Sequence, residues 1–96
     1  MSDTQQRIDQ VVKNHRVVLF MKGNADFPQC GFSARVVDVL QDVGVPFATF
    51  DILSDPNMRQ GVKDYAQWPT FPQLYVGGEF VARHVQDVEL QLLARF

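Results

Sequence analysis

The side chain best suited to chemistry in this sequence is Cys30, the one cysteine among 96 residues. It lies in the stretch Pro28-Gln29-Cys30-Gly31, where a loop is predicted to end and a helix to begin. A sulfur atom there lies beside backbone N–H groups without helical partners and beside the positive end of the helix dipole, and both favour the thiolate. Lys22 could add positive charge from the same loop. A lone cysteine can also be a small buried hydrophobic residue, but the Pro, Gly and Ser residues around this one favour the reactive interpretation.

Ser33 stands where a C-x-x-C redox motif would have its second cysteine. Any disulfide that Cys30 forms must therefore use a sulfur atom from another molecule. One cysteine also cannot hold a metal without ligands from outside the chain. A chain with no internal disulfide suits a reducing compartment.

Hydrophobic periodicity and turn signals predict four helices and four strands around this thiol. The helices are predicted at residues 3–14, 31–43, 56–66 and 87–95, and the strands at residues 17–21, 47–52, 73–76 and 79–82. Ser2 or Asp3 is available to cap the first helix, and Gly44 supplies the end of the second. Among the apolar side chains that these helices are expected to bury are Phe32, Leu93 and Phe96.

The order α-β-α-β-α-β-β-α predicts an α/β fold with a central four-stranded mixed sheet and helices on both of its faces. The 96 residues fit one domain, covering residues 1–96, and the apolar content of 46% is enough for one core. The net charge of −2 argues against nucleic-acid binding. The longest apolar run, Val17 to Met21, is far too short to span a membrane. The polar start of the chain resembles neither a secretory signal nor a transit peptide, which predicts a cytoplasmic protein, although a processed organellar protein given a new Met would look the same.

The stretch Cys30-Gly31-Phe32-Ser33 resembles the CGFS active site of monothiol glutaredoxins. The resemblance extends over roughly residues 8–81. The segments that carry it are Val17–Lys22, Pro28–Ser33, Gly44–Phe47, Phe50–Asp55, Arg59–Gly61 with Lys63 and Tyr65, and Trp68–Pro72. It implies a thioredoxin-like fold in which Pro72 follows a cis peptide bond and faces the thiol.

The resemblance also implies a binding groove for glutathione. Lys22 and Arg59 would bind the carboxylate end of the tripeptide, and the backbone of Phe71 would pair with its cysteinyl unit. On the sequence alone, Lys22 and Arg59 are ordinary surface cations, and Trp68 could be a core aromatic or a wall of the groove.

Monothiol glutaredoxins are similar in binding a [2Fe–2S] cluster between two subunits, and the resemblance implies the same cofactor here. Cys30 of each subunit would be one metal ligand, and two glutathione molecules would supply the other two thiolates. The implied partners are glutathione, a second copy of the chain in a cluster-bridged homodimer, BolA-like proteins and iron–sulfur apoproteins.

The resemblance is weakest between Ala82 and Val88, where the family usually has Gly-Gly-Cys/Ser-Asp-Ile/Val. Without a gap, Val85 takes the place of the family's Asp, which holds the γ-glutamyl end of glutathione. A two-residue insertion would give that place to Asp87, so Asp87 is either the glutathione contact or only a helix cap. His84 beside the groove could be a ligand, a pH-sensitive group or a solvated loop residue.

The sequence is compatible with three functions. The first is a carrier of iron–sulfur clusters. The second is a glutathione-dependent thiol oxidoreductase, in which the thiolate of Cys30 attacks a glutathione mixed disulfide and a second glutathione resolves the product. The third is an interaction module that has lost ligand binding through its altered C-terminal stretch.

Overall fold

A four-stranded mixed sheet forms the middle layer of the protein. The computed structural model describes residues 2–82 and 85–95. Its helices are α1 (Asp3–Asn14), α2 (Gly31–Val43), α3 (Pro56–Ala66) and α4 (Val85–Arg95), and its strands are β1 (Val17–Met21), β2 (Ala48–Asp51), β3 (Gln73–Val76) and β4 (Glu79–Ala82). The strand order is β2-β1-β3-β4, with β1 and β2 parallel and the other two pairs antiparallel. The predicted order of elements and the α/β class are confirmed.

The central strand β1 is buried along its whole length because helices cover both faces of the sheet. Val17, Leu19 and Met21 belong to the core cluster that also contains the buried residues of α2 and α4. Val18 and Phe20 belong to a second cluster, formed with the buried residues of α1 and α3. Successive side chains of a strand point to opposite faces, so β1 contributes to both cores.

The ends of the elements are set by local backbone chemistry. The hydroxyl of Ser2 accepts a hydrogen bond from the backbone N–H of Gln5 at 3.1 Å, which makes Ser2 the cap of α1. Helix α2 ends at Gly44, whose φ of 81° lies in the left-handed region that glycine adopts readily. Gly77 and Gly78 also have positive φ angles and form the tight turn between β3 and β4.

Two apolar side chains that were expected to be buried lie at the surface. Phe32 is 65% exposed, because the buried stripe of α2 passes through Ser33, Val36 and Leu40 instead. Leu93 is 62% exposed, because α4 buries its neighbour Leu92. Phe96 lies outside the described residues. None of the helices in residues 2–82 and 85–95 is long and apolar enough to cross a membrane.

Two predicted boundaries also change. Strand β2 is shorter than the predicted range of residues 47–52, and α4 begins two residues earlier than predicted. Asp87 is therefore the third residue of α4 and not its cap.

Helix α3 depends on a cap at Asp55. The carboxylate of Asp55 accepts hydrogen bonds from the backbone N–H groups of Asn57 at 3.0 Å and Met58 at 3.3 Å. Pro56 occupies the first helical position, where its missing N–H costs nothing. The same carboxylate lies 3.3 Å from the guanidinium of Arg7.

We expect Asp55→Ala to lower the free energy of unfolding by about 1 to 2 kcal/mol, because two N–H groups lose their acceptor. Asp55→Asn keeps an acceptor and loses only the ion pair with Arg7, which is exposed, so it should cost less than about 1 kcal/mol. Urea denaturation of both variants measures the difference. Equal losses in the two variants would show that the cap is not what stabilises α3.

Candidate functional site

Residues that the sequence analysis singled out lie at one edge of the sheet. Strands β1 and β2 are parallel, so their carboxyl ends lie at this edge, and α2 and α3 follow from it. Strand β3 runs antiparallel to β1 and therefore begins there. Strand β4 runs antiparallel to β3, so it ends there, and α4 starts close by. The edge thus gathers three helix N-termini, which favour bound anions.

Cys30 is the N-terminal flanking residue of α2 at this edge. Its backbone is extended, with φ −147° and ψ 136°, and its carbonyl accepts the first bond of the helix from the N–H of Ala34 at 3.0 Å. The thiol is partly buried and makes no hydrogen bond that would cap the helix. Its sulfur therefore remains available to a second reactant.

Several groups hold the pKa of Cys30 below its ordinary value. The largest effect comes from the backbone N–H of Ser33, and the N–H of Phe32, the ammonium of Lys22 and the hydroxyl of Ser33 act in the same direction. Partial burial opposes them, because it disfavours the charged form. The partial positive charge on these N–H groups stabilises the thiolate, although the neutral thiol makes no capping hydrogen bond with them.

Ser33 joins the thiol to the loop that carries Lys22. Its side chain is fully buried, and its hydroxyl accepts a hydrogen bond from the backbone N–H of Lys22 at 3.3 Å. The backbone carbonyl of Lys22 in turn accepts from the N–H of Gln29 at 2.8 Å. The backbone of Lys22 and that of Cys30 are therefore held on one framework.

Asp51 holds the same loop from the neighbouring strand, a role that the sequence analysis missed. Its Oδ1 accepts hydrogen bonds from the backbone N–H groups of Gly23 at 3.0 Å and Leu53 at 2.9 Å. The carboxylate thus ties the segment after β1 to the segment after β2. An acidic residue at the end of a strand was the available signal, but its partner follows only from the parallel pairing of Met21 with Asp51.

Gly23 is required at its position by both conformation and space. Its φ is 89°, and a Cβ atom there would lie 2.5 Å from the carbonyl oxygen of Phe27 and 2.8 Å from the backbone nitrogen of Gln29. Those backbone atoms are fixed by the loop hydrogen bonds, so they cannot move aside cheaply.

Phe71 and Pro72 lie at the start of β3. The peptide bond between them is cis, as expected. The pairing of Phe20 with Gln73 places the segment that precedes β3 at the same edge as the segment that follows β1, which begins with Lys22. Phe71 is 7% exposed and packs in the core of α1 and α3, so its backbone rather than its ring is what this edge offers to a ligand.

Arg59 lies on the first turns of α3 and is exposed. The backbone topology places it at the same edge as Lys22 and Phe71. Asp87 is the third residue of α4, which begins close to this edge. The side chain of Asp87 and all of His84 lie outside the described residues.

Trp68 lines a surface cavity of about 270 Å³ between α3 and the loop after it. The other residues around this cavity are Gln60, Lys63, Asp64, Gln67 and Pro69. Neither Cys30 nor Lys22 lines this cavity, so it is not the groove implied for glutathione, and both interpretations of Trp68 stay open.

Within the part of the chain that the structure describes, no group of three or more His, Cys, Asp or Glu residues could hold a metal ion.

Replacing Gly23 by alanine should destabilise the protein by about 3 kcal/mol, because it combines left-handed strain with a backbone overlap. Gly44→Ala is the matched control: its φ of 81° is similar, but nothing lies within 4 Å of the added Cβ. We expect about 1 kcal/mol for that variant from strain alone. Urea denaturation measures the free energy of unfolding of both variants. Similar losses in the two would contradict the contribution of the backbone overlap at Gly23.

Removing the charge of Lys22 should raise the pKa of Cys30. In Lys22→Gln the thiolate loses an electrostatic partner, so a smaller fraction is ionised at neutral pH and alkylation by iodoacetamide becomes slower. The pH dependence of alkylation gives the titration midpoint before and after the substitution. Lys13→Gln is the control, since Lys13 lies before β1, away from this edge. A midpoint that moves equally in both variants, or not at all in Lys22→Gln, would contradict this interpretation.

Comparison with known proteins gives one consistent family. Residues 17–81 match the sequence model of the Glutaredoxin family. A chloroplastic monothiol glutaredoxin of Oryza sativa subsp. japonica is 60% identical over 73 residues, which are 76% of this chain and 44% of that protein. An uncharacterized ycf64-like monothiol glutaredoxin of Synechocystis sp. is 54% identical over 90 residues, covering 94% of this chain and 82% of that protein. The chain thus spans less than half the length of the rice relative.

The fold agrees with these sequence matches. The solution structure of a monomeric truncated mutant of Trypanosoma brucei 1-C-Grx1 aligns with a TM-score of 0.82 at 36% identity. The alignment covers 99% of this chain and 86% of that one. The predicted thioredoxin-like fold is confirmed.

Proposed function

The chain belongs to the glutaredoxin family as a monothiol member, and we propose that it binds glutathione and carries a [2Fe–2S] cluster for transfer to other proteins. The observation that carries this proposal is the state of Cys30. It is the one cysteine of the chain, and it lies partly exposed at a helix N-terminus with a lowered pKa. The thiolate is the form in which cysteine binds the iron of such a cluster.

The number of thiols determines the stoichiometry of the cluster site. A two-iron cluster is held by four thiolates, and two chains supply two of them. Two glutathione molecules would supply the others, so the cargo would be bound by a homodimer with one glutathione for each chain. Ligands that can dissociate suit a carrier that releases its cluster.

The proposed glutathione site uses residues of the edge described above. Lys22 and Arg59 would bind the carboxylate of its glycine end. The backbone of Phe71, followed by the cis bond to Pro72, would pair with its cysteinyl unit. Asp87 in the first turn of α4 would hold its γ-glutamyl end, next to a helix N-terminus.

The partly exposed thiol with its lowered pKa also favours a second activity, the removal of glutathione from mixed disulfides. The thiolate of Cys30 would attack the glutathione sulfur, form a new disulfide with it and release the client thiolate. A second glutathione thiolate would attack that disulfide, release oxidised glutathione and restore Cys30.

The proposed partners follow from the carrier role. They are a second copy of this chain, iron–sulfur apoproteins that accept the cluster, and BolA-like proteins. The proposed location is the cytoplasm.

Anaerobic reconstitution tests the carrier function directly. The protein is incubated with iron, sulfide, a cysteine desulfurase and glutathione, and its visible spectrum and mass are recorded. We expect a coloured dimer that contains glutathione, and we expect Cys30→Ser to abolish it because the cluster loses its protein ligands. A colourless monomer that turns over a glutathionylated substrate would instead support the second activity.

Two arginine variants separate glutathione binding from general charge. Arg59→Gln should raise several-fold the glutathione concentration needed for half-maximal cluster loading, because one carboxylate partner is lost. Arg35→Gln removes an exposed cation of α2 outside the proposed groove and should leave that concentration unchanged. If this glutathione concentration is the same in the two variants, Arg59 is not part of the glutathione site.

A further inference from the structure

Gln73 is a buried polar residue to which the proposed function assigns no role. It is the first residue of β3, its side chain is fully buried, and it pairs with Phe20 in the centre of the sheet. Such a side chain needs hydrogen-bond partners, since a buried amide without them is costly.

The side-chain amide of Gln73 is bonded to the segment that precedes it. Its Nε2 donates hydrogen bonds to the backbone carbonyl of Trp68 and to that of Thr70, both at 3.2 Å. Its Oε1 accepts a longer bond from the hydroxyl of Tyr75 at 3.4 Å. Both N–H groups and the oxygen are thus engaged, which fixes the orientation of the amide.

One of these bonds sets the direction of a backbone group at the site. The carbonyl of Thr70 and the N–H of Phe71 belong to the same peptide plane, which is trans because the cis bond lies one residue later. In a trans peptide the N–H points opposite to the carbonyl. Since Gln73 holds the carbonyl of Thr70 toward the buried base of β3, the N–H of Phe71 is directed the other way, out of the core.

We infer that Gln73 is a positioning residue for glutathione, acting by orienting the Thr70–Phe71 peptide so that its N–H meets the ligand. This inference rests on the proposed function, in which the backbone of Phe71 pairs with the cysteinyl unit of glutathione. Gln73 is fully buried, so it acts through this peptide and not by contact with the ligand. Its contribution is to hold one donor in a fixed direction before the ligand arrives, so that no ordering is needed on binding.

The test compares two mixed disulfides of one peptide, one with glutathione and one with 2-mercaptoethanol. Release of the peptide thiolate is measured, which counts in both cases the attacks by which Cys30 forms a disulfide with the non-peptide sulfur. The ratio of the two rate constants therefore reports recognition of glutathione and not the reactivity of the thiol.

We expect Gln73→Met, which keeps the length of the side chain but loses its hydrogen bonds, to lower this ratio about tenfold, since small errors in orientation are costly. The rate with the 2-mercaptoethanol disulfide should stay within about twofold, because the surroundings of Cys30 are unchanged. Tyr75→Phe is the matched control: it removes the bond to Oε1, leaves both Nε2 contacts, and should keep the wild-type ratio.

A second variant and a second measurement protect the test against misfolding. Gln73→Asn shortens the arm by one methylene, about 1.5 Å, so it cannot reach both carbonyls, and it should lower the ratio as well. In the wild type, NMR should find the side-chain amide protons of Gln73 exchanging far more slowly than those of exposed Gln41.

The outcomes separate the two proposals. A wild type with no preference for the glutathione disulfide would overturn glutathione recognition itself. A preference that both folded Gln73 variants retain, an equal fall in both rates, or rapid exchange of the Gln73 amide protons would overturn the role of Gln73 alone.

Discussion

The parallel pairing of β1 with β2 is the constraint on which the site depends. It brings the carboxyl ends of both strands to one edge, so the loops that lead into α2 and α3 begin side by side. The antiparallel strands β3 and β4 then add the start of one strand and the end of the other to the same edge. No two of Lys22, Arg59 and Phe71 are near in sequence, and all three come to this edge because of the strand directions.

The loop between β1 and α2 shows how firmly the cation and the thiol are connected. The backbone around Lys22 is bonded to Ser33 on its amide side and to Gln29 on its carbonyl side, and the next N–H is bonded to Asp51. Two other elements, α2 and β2, and the far end of the loop itself therefore fix one short segment. Such a segment can keep a charge near a thiolate without losing backbone freedom each time a ligand binds.

Most of the fold could be predicted from the sequence, because strong local signals mark its elements. Pro56 after Asp55, Gly44 at the end of α2 and the pair Gly77-Gly78 each act through the backbone of their own neighbourhood. The thiol at the start of α2 was predictable for the same reason. Phe32 was assigned to the wrong environment because a residue one position away, Ser33, takes the buried place in the first turn.

The supporting contacts of the site could not be predicted in the same way. Asp51 and Gln73 are unremarkable in sequence, and each acts on a backbone group whose position depends on strand register or on the path of a loop. A pattern of apolar and polar residues carries no information about which carbonyl or N–H a buried side chain will meet.

The two prolines before β3 have a consequence for how this chain can vary. Pro69 and Pro72 have no N–H, so the stretch from Trp68 to Pro72 is short of backbone donors. The side chain of Gln73 makes up part of that shortage by donating to two carbonyls from a fixed point in the sheet. The reach of a single glutamine therefore constrains the length of this stretch, because an insertion or deletion there would move one carbonyl away from its donor.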